Sequence, residues 1–286
     1  MKRVERFTNA GLSFEVTDTA PADGGGAGQV AVLLHGFPED RRSWRRVAPA
    51  LAAAGHRVLA PDQRGYSPGA RPAARSAYTL SQLAGDVLAL ADAAGTERFH
   101  LVGHDWGAAL AWYIAGRHPR RLISLTALSV PHPLAFRQAL TSSTQAFRSW
   151  YVAVFQLPGL PELALSRRGG MALRDALVRT GLDPGSAARY AVRATDPAAM
   201  RGALNWYRAI PLDVRERIGP IDVPTLFIWG DGDRFVSRTA AELCGRFVSG
   251  SYRFELLQGS SHWLLQEAPE QVAAVLVEHF ARTSGG

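Results

Sequence analysis

Apolar residues in this chain fall into two alternating kinds of run. Blocks of strand length, Val30 to Leu34, Val58 to Ala60, Phe99 to Val102 and Leu122 to Leu128, alternate with stretches of helical spacing, Trp44 to Ala54, Leu80 to Ala94 and Ala108 to Ala115. A continuous apolar block suits a strand buried on both faces, and strand–helix alternation lets a parallel sheet cover itself. The pattern therefore predicts an α/β fold: a mostly parallel, twisted sheet flanked by helices. Two shorter strands come first, Val4 to Phe7 and Leu12 to Thr17, and Asn9, Ala10 and Gly11 between them predict an opening hairpin. The glycine-rich connector Gly24 to Gly28 precedes a strand and lacks a closing Gly-Lys-Ser/Thr, so it reads as a turn and not as a phosphate loop.

The rhythm breaks between residues 131 and 215. Helical segments there are separated by Pro131, Pro133, Pro158, Pro161, Gly169, Gly170, Pro184 and Pro197, and no strand pattern is found. Alternation resumes with the strand Thr225 to Trp229, a helix near Arg238 to Phe247, the strand Tyr252 to Leu257 and a closing helix near Pro269 to Arg282. The expected organisation is a core built from residues 1–130 and 216–286, split by an inserted helical cap over residues 131–215. No G-x-G-x-x-G follows the first parallel strand, which argues against a dinucleotide-binding fold.

With 286 residues, 47% hydrophobic and 20% charged, the chain has material for a large core and one insertion. No run of 18 apolar residues occurs, and the first residues (MKRVERFTNAGLSFEV) contain no apolar signal-peptide core, so neither a membrane span nor a signal peptide is expected and the default compartment is the cytoplasm. The lone cysteine, Cys244, reads as a buried thiol. Lys2 is the only lysine among 32 basic residues, and the arginines that make up the rest scatter along the chain. The short cluster Arg41, Arg42, Arg45 and Arg46 reads as a solvated helix face, and nucleic acid is not an expected partner. A homodimer is left open.

The most informative stretch is Gly103-His104-Asp105-Trp106-Gly107, which closes one apolar strand and opens an apolar helix. Small residues flanking the centre of such a strand-to-helix turn let backbone crowd backbone and lift the central side chain clear of the sheet, as in a nucleophile elbow. Here that side chain is a carboxylate. With a reference pKa of about 3.9 it is ionised at neutral pH without help from a base. Carboxylates attack saturated carbon to give an alkyl ester, which points to epoxides and alkyl halides as electrophiles.

Such an ester needs a base to hydrolyse it. Asp233 follows the strand ending at Trp229, with Asp231 as its competitor, and His262 follows the strand ending at Leu257. The chain order of nucleophile, acid and histidine is that of α/β-hydrolase sheets, whose strand ends gather on one edge. No carboxylate follows Leu128. His35 and His104 sit beside the same crevice without metal-ligand spacing, so neither a metal nor a cofactor is expected. His56, His118 and His279 read as surface residues. In His35-Gly36-Phe37-Pro38-Glu39-Asp40 the Phe37 N–H is the candidate oxyanion donor, joined by the Trp106 N–H, each worth about 3–4 kcal/mol in comparable sites.

Taken together, HGFPED, DQRGYS, GHDWG, WYVAVFQLPG, NWYR and WGDGDRFV resemble the epoxide hydrolases of the α/β-hydrolase superfamily over nearly the whole chain. The resemblance implies a small-molecule epoxide and water as partners, a vicinal diol as product, and Tyr151 and Tyr207 as the cap phenols that hydrogen-bond the epoxide oxygen. Phe37, Trp106, Trp150 and Phe155 are expected to line the substrate, and Leu157, Leu160 and Leu163 to line an apolar pocket or fill the cap core. Two other readings stay open. Haloalkane dehalogenases share the aspartate elbow, Trp106 matches half of their halide clamp, and Trp150 or Trp206 would have to supply the other half. A hydrolase-like ligand binder would keep the pocket and lose turnover.

Overall fold

The computed structural model describes residues 3–21, 28–214 and 216–283. Gly24 to Ala27 of the connector read as a turn, and Arg215 at the expected cap boundary, lie outside the described residues. The strands are β1 (Arg6–Asn9), β2 (Leu12–Thr19), β3 (Val30–Leu34), β4 (Arg57–Pro61), β5 (Phe99–His104), β6 (Leu122–Leu128), β7 (Thr225–Gly230) and β8 (Tyr252–Leu257). They form one sheet in the order β1-β2-β4-β3-β5-β6-β7-β8. The β1–β2 and β2–β4 pairs are antiparallel and the others parallel. At the opening hairpin both turn residues, Ala10 (φ 48°) and Gly11 (φ 77°), are left-handed, as a two-residue connection between right-twisted strands requires.

β3, β4, β5 and β7 are buried along their whole length, which is why their sequences are unbroken apolar blocks. One face of the sheet packs on the helices Leu80–Ala93 and Trp106–Arg117, through side chains such as Leu83, Leu90, Leu110 and Trp112. The other packs on the helices Ala48–Ala53 and Pro269–Thr283, through Leu51, Val272, Leu276 and Phe280. The closing helix presents Val272, Leu276, His279 and Phe280 along one stripe, so His279, expected at the surface, is buried. Burial pushes its imidazole down to about 4. The Arg41–Arg46 segment is a short 3-10 turn whose Arg41 is drawn inward to pair with Glu15 and Asp62, while Arg42 and Arg46 pair with Asp40 and Glu270 nearer the surface. Only part of that cluster is therefore a solvated face.

Register aligns the C-terminal strand ends on one edge: Leu34 lies beside Gly103, His104 beside Leu128 and Gly230 beside Leu257. Between β6 and β7 the described residues hold helices, turns and irregular chain, with one isolated bridge from Ile221 to Val248. The helices include Pro133–Ser142, Trp150–Phe155, Leu160–Ser166, Met171–Arg179, Pro184–Ala191 and Pro197–Asp213. This layer has its own apolar cluster of Leu173, Leu177, Tyr190, Met200 and Leu204, closed below by Trp263. It is tied to the loops at the strand ends. The Trp206 indole donates to the Arg64 carbonyl at 2.8 Å, and Arg193 reaches the Pro38 and Glu39 carbonyls with its guanidinium 4.4 Å from the Tyr66 ring centroid.

The turn that joins β5 to the helix Trp106–Arg117 admits no side chain at its flanks. A Cβ on Gly103 would lie 2.1 Å from the Gly107 carbonyl oxygen, and one on Gly107 would lie 2.3 Å from the Leu34 carbonyl oxygen. Gly107→Ala is accordingly expected to cost about 1–3 kcal/mol through overpacking, read as a lower urea midpoint at unchanged slope.

Candidate active site

Asp105 sits at the apex of that turn with φ 52° and ψ −118°, a conformation rare for a residue with a side chain, held by the strand before it and the helix after it. Gly36, in the loop after β3, lets the apex approach. A Cβ there would meet the Asp105 Cβ at 2.4 Å. The close approach brings the Phe37 N–H to Asp105 Oδ1 at 2.7 Å. Trp106 occupies the first helical position, where a backbone N–H has no intrahelical acceptor.

His262 joins the loops after β7 and β8 to this carboxylate. Its Nδ1 is 2.8 Å from Asp233 Oδ2 and its Nε2 is 3.3 Å from Asp105 Oδ2. Both ring nitrogens thus face carboxylate oxygens, an arrangement satisfied only by the doubly protonated imidazolium. Burial opposes that charge, but Asp233 and Asp105 outweigh it and push His262 up to about 10. Burial likewise opposes the Asp105 charge, and the His262 contact, His104 and the Phe37 N–H reverse it, leaving Asp105 below its ordinary range. Asp233 is fixed in turn by the Phe235 and Val236 N–H groups at 2.7 and 3.0 Å. Asp231 points elsewhere and accepts from the Gly259 N–H at 2.7 Å.

A second buried charge pair lies beneath, and sequence reasoning gave it no role. His104 Nδ1 is 2.7 Å from Glu39 Oε2 and its Nε2 is 2.9 Å from the His262 carbonyl oxygen, so this ring also faces acceptors on both sides. Glu39 also accepts from the Gly36 N–H at 3.0 Å and from Gln266 at 2.9 Å. Ser129, which follows β6 where no carboxylate was found, donates its hydroxyl to the same His262 carbonyl at 2.9 Å. The signal was present in HGFPED, whose glutamate lies three residues past the glycine it binds. Among the described residues, no group of three or more His, Cys, Asp or Glu is placed to hold a metal.

Asp105 and His262 form part of the wall of a cavity of about 590 Å³, within the range of small-molecule sites. Phe37, Trp150, Tyr151, Phe155 and Tyr207 line it, as do Phe235 and Trp263. The Tyr151 and Tyr207 rings are 6.1 Å apart, and Tyr207 packs edge-on against Phe37 at 5.4 Å and Phe155 at 4.9 Å. Burial, with the Asp105 charge nearby, drives both phenols upward from their usual range, so both stay protonated at neutral pH. Trp106 is not on the wall; its indole lies edge-on to Tyr207 and Trp206 at 5.0 and 5.8 Å. Trp150 stands at the mouth, 67% exposed. Leu157, Leu160 and Leu163 neither line the cavity nor fill a core. The helix Leu160–Ser166 turns Pro161 and Leu165 inward and leaves these leucines in solvent.

Residues 30–269 match the family described as alpha/beta hydrolase fold. Epoxide hydrolase A of Mycobacterium tuberculosis (strain ATCC 25618 / H37Rv) is 37% identical, the match covering 87% of this chain and 89% of that protein. Epoxide hydrolase 4 of Mus musculus is 32% identical over 95% of this chain and 77% of its own length. Among solved structures, epoxide hydrolase A from Mycobacterium thermoresistibile superposes with a TM-score of 0.81 at 29% identity, covering 96% of this chain and 97% of that one. The chain belongs to the epoxide hydrolase family of the α/β-hydrolase superfamily.

The raised His262 value carries a stability signature. Its protonation stabilises the fold fully below the unfolded value of 6.5, and that contribution is lost as pH climbs through about 10. Asp105, depressed below 3.8, adds stability that is present above that value and fades as pH falls further. The urea midpoint should therefore decline from pH 6.5 to about 10, with a shallower decline in His262→Gln.

Proposed function

We propose that this protein hydrolyses epoxides to vicinal diols through a covalent ester on Asp105. Residues 1–130 and 216–286 act as the core, and residues 131–215 as a cap that supplies Tyr151 and Tyr207. The observation that carries the reading is the Asp105 carboxylate held between the Phe37 N–H and His262, at a cavity whose wall includes two protonated phenols.

In the first step Asp105 Oδ2, the oxygen with the longer contact, attacks an epoxide carbon and the C–O bond of the ring breaks. Oδ1 stays on the Phe37 N–H and becomes the ester carbonyl. Tyr151 and Tyr207 donate to the oxygen as it develops alkoxide charge, and it takes a proton to become a hydroxyl. Ester formation removes the Asp105 charge, one of the two that hold the His262 proton. The imidazole then gives that proton up, which balances the one taken by the alkoxide.

In the second step neutral His262, oriented by Asp233, removes a proton from water, and the hydroxide adds to the Asp105 carbonyl carbon. The Phe37 and Trp106 N–H groups hold the resulting oxyanion. Collapse expels the diol oxygen, which is protonated by the new carboxylic acid. Asp105 returns as a carboxylate beside a protonated His262, carrying one oxygen from solvent. No step calls on a metal or cofactor, and the cytoplasm is the proposed compartment; no helix among the described residues is long and apolar enough to cross a membrane.

A haloalkane reading has less support. It needs two side-chain N–H donors at the departing halide, but the Trp206 indole is engaged by the Arg64 carbonyl at 2.8 Å and Trp150 stands out at the mouth. A silent binder would have no use for an acid, a base and a carboxylate in hydrogen-bonded sequence.

His262→Gln mixed with an excess of epoxide should accumulate one equivalent of adduct on the peptide spanning Asp105, whereas Asp105→Ala should show none by mass spectrometry. Adduct on the alanine variant would overturn the nucleophile. In heavy-oxygen water a single turnover should label the Asp105 peptide before the diol. Tyr151→Phe combined with Tyr207→Phe should slow ester formation by about 10²–10⁴-fold in single-turnover kinetics.

A further inference from the structure

The loop that carries Asp233 is gripped along its backbone from the helical layer. Residues 143–148 run past it in the opposite direction, and alternate positions of the loop meet their side chains. Arg148 Nη1 donates to the Asp233 carbonyl at 2.6 Å, Gln145 Nε2 donates to the Phe235 carbonyl at 2.7 Å, and Gln145 Oε1 accepts from the Ser237 N–H at 2.8 Å. The Gln145 amide can face only one way here, because a carbonyl accepts and an N–H donates. Nε2 also donates to Ser149 Oγ at 3.0 Å, and the Gln145 N–H donates to Ser143 Oγ at 3.2 Å. Gln145 is wholly buried, yet it is not part of the cavity wall.

Between these anchor points the loop turns its side chains toward the site. Asp233 reaches His262, and the Phe235 ring lies edge-on both to His262, at 4.8 Å, and to Tyr151, at 5.6 Å. Phe235 is thus packed against the phenol and against the imidazole. Gln145 opens the short helix Gln145–Arg148, and the next helix, Trp150–Phe155, delivers Tyr151. One buried amide therefore holds the backbone of Phe235 and also begins the segment that presents Tyr151.

We infer that Gln145 is a positioning residue: acting through Phe235, it sets the placement of Tyr151, which donates to the opening epoxide oxygen, relative to His262, which hydrolyses the ester. Without its amide the Phe235 carbonyl and the Ser237 N–H lose their partner, and the loop relaxes to recover one, carrying the Phe235 ring with it. A displacement of about 1 Å in a reacting group costs up to about 10²-fold in rate. This assignment rests on the epoxide-opening reading and ties both steps of that reaction to one side chain outside the cavity.

The test resolves the two steps in rapid-quench single turnovers with styrene oxide, following the adduct on the Asp105 peptide as it forms and decays. Gln145→Met has similar volume and cannot make these hydrogen bonds. It should slow ester formation and ester hydrolysis by about tenfold each, at an unchanged half-saturating epoxide concentration because the wall is intact. A residue acting on Tyr151 alone would move only the first step, and one acting on His262 alone only the second. In a Phe235→Leu background the same substitution should cost less than about twofold, since the ring that transmits the effect is gone. Rate constants are taken per adduct-forming site, so a lower melting temperature by itself leaves them unchanged. Gln145→Asn, whose amide ends one methylene short of the loop, carries the same comparisons if Gln145→Met does not fold.

A native rate constant for either step in the variant would overturn the assignment. So would a tenfold loss that persists undiminished in the Phe235→Leu background, or a loss confined to the half-saturating concentration. Native protein that forms no adduct on Asp105 would sink the epoxide-opening reading itself. Native protein that forms and hydrolyses the ester, matched by the variant in both steps, would remove only the role of Gln145.

Discussion

The charge on His262 is held by two carboxylates that come from different loops, and the contact exists only because three strands end at one level. Asp105 leaves β5, Asp233 follows β7 and His262 follows β8, with His262 2.8 Å from one carboxylate and 3.3 Å from the other. An imidazolium buried alone would lose its proton. Placed between two carboxylates it keeps it, and the same contact holds Asp105 below its ordinary range. Under the proposed reaction, esterifying Asp105 would weaken the hold on the proton, so the group that stabilises the resting site would become the base once the site has reacted.

Below these three side chains the protein buries a second pair, Glu39 and His104, each fully inaccessible to solvent. Such a pair is costly unless every donor and acceptor is used, and here they are. Glu39 meets His104, the Gly36 N–H and Gln266, while His104 also holds the His262 carbonyl. The loop that presents Phe37 and the backbone that carries His262 are thereby fastened to each other. A shift of either would strip hydrogen bonds from a charge with no access to water.

Much of this was legible in the sequence because buried parallel strands leave a plain signature. Val30–Leu34 and Leu122–Leu128 were found to the residue, since each is an apolar block ended by polar or turn-forming residues. The elbow was legible because glycine is demanded by close backbone approach at Gly103 and Gly107. Choosing between Asp231 and Asp233 was a matter of geometry: a turn closed by the Asp233 N–H on the Gly230 carbonyl aims one side chain at His262 and leaves the other on Gly259. Apolar periodicity failed where burial depends on a partner from elsewhere in the chain. It cannot say that Leu160 and Leu163 face solvent while Leu165 turns inward, or that His279 falls on the buried stripe of its helix.

The two phenols are mounted unequally. Tyr207 is almost wholly buried on the helix Pro197–Asp213, its carbonyl held by Gln156 at 2.7 Å, and the adjoining Arg208 is locked to Glu162 and to the Phe155 and Leu157 carbonyls. Tyr151 is half-buried on the six-residue helix Trp150–Phe155, which has no fully buried side chain. One ring is thus set in a buried, heavily bonded frame and the other on a short, partly exposed one. Under the proposed reaction, changes in the short helix would alter which ring carbon is presented for attack, while the long helix would keep the leaving oxygen anchored.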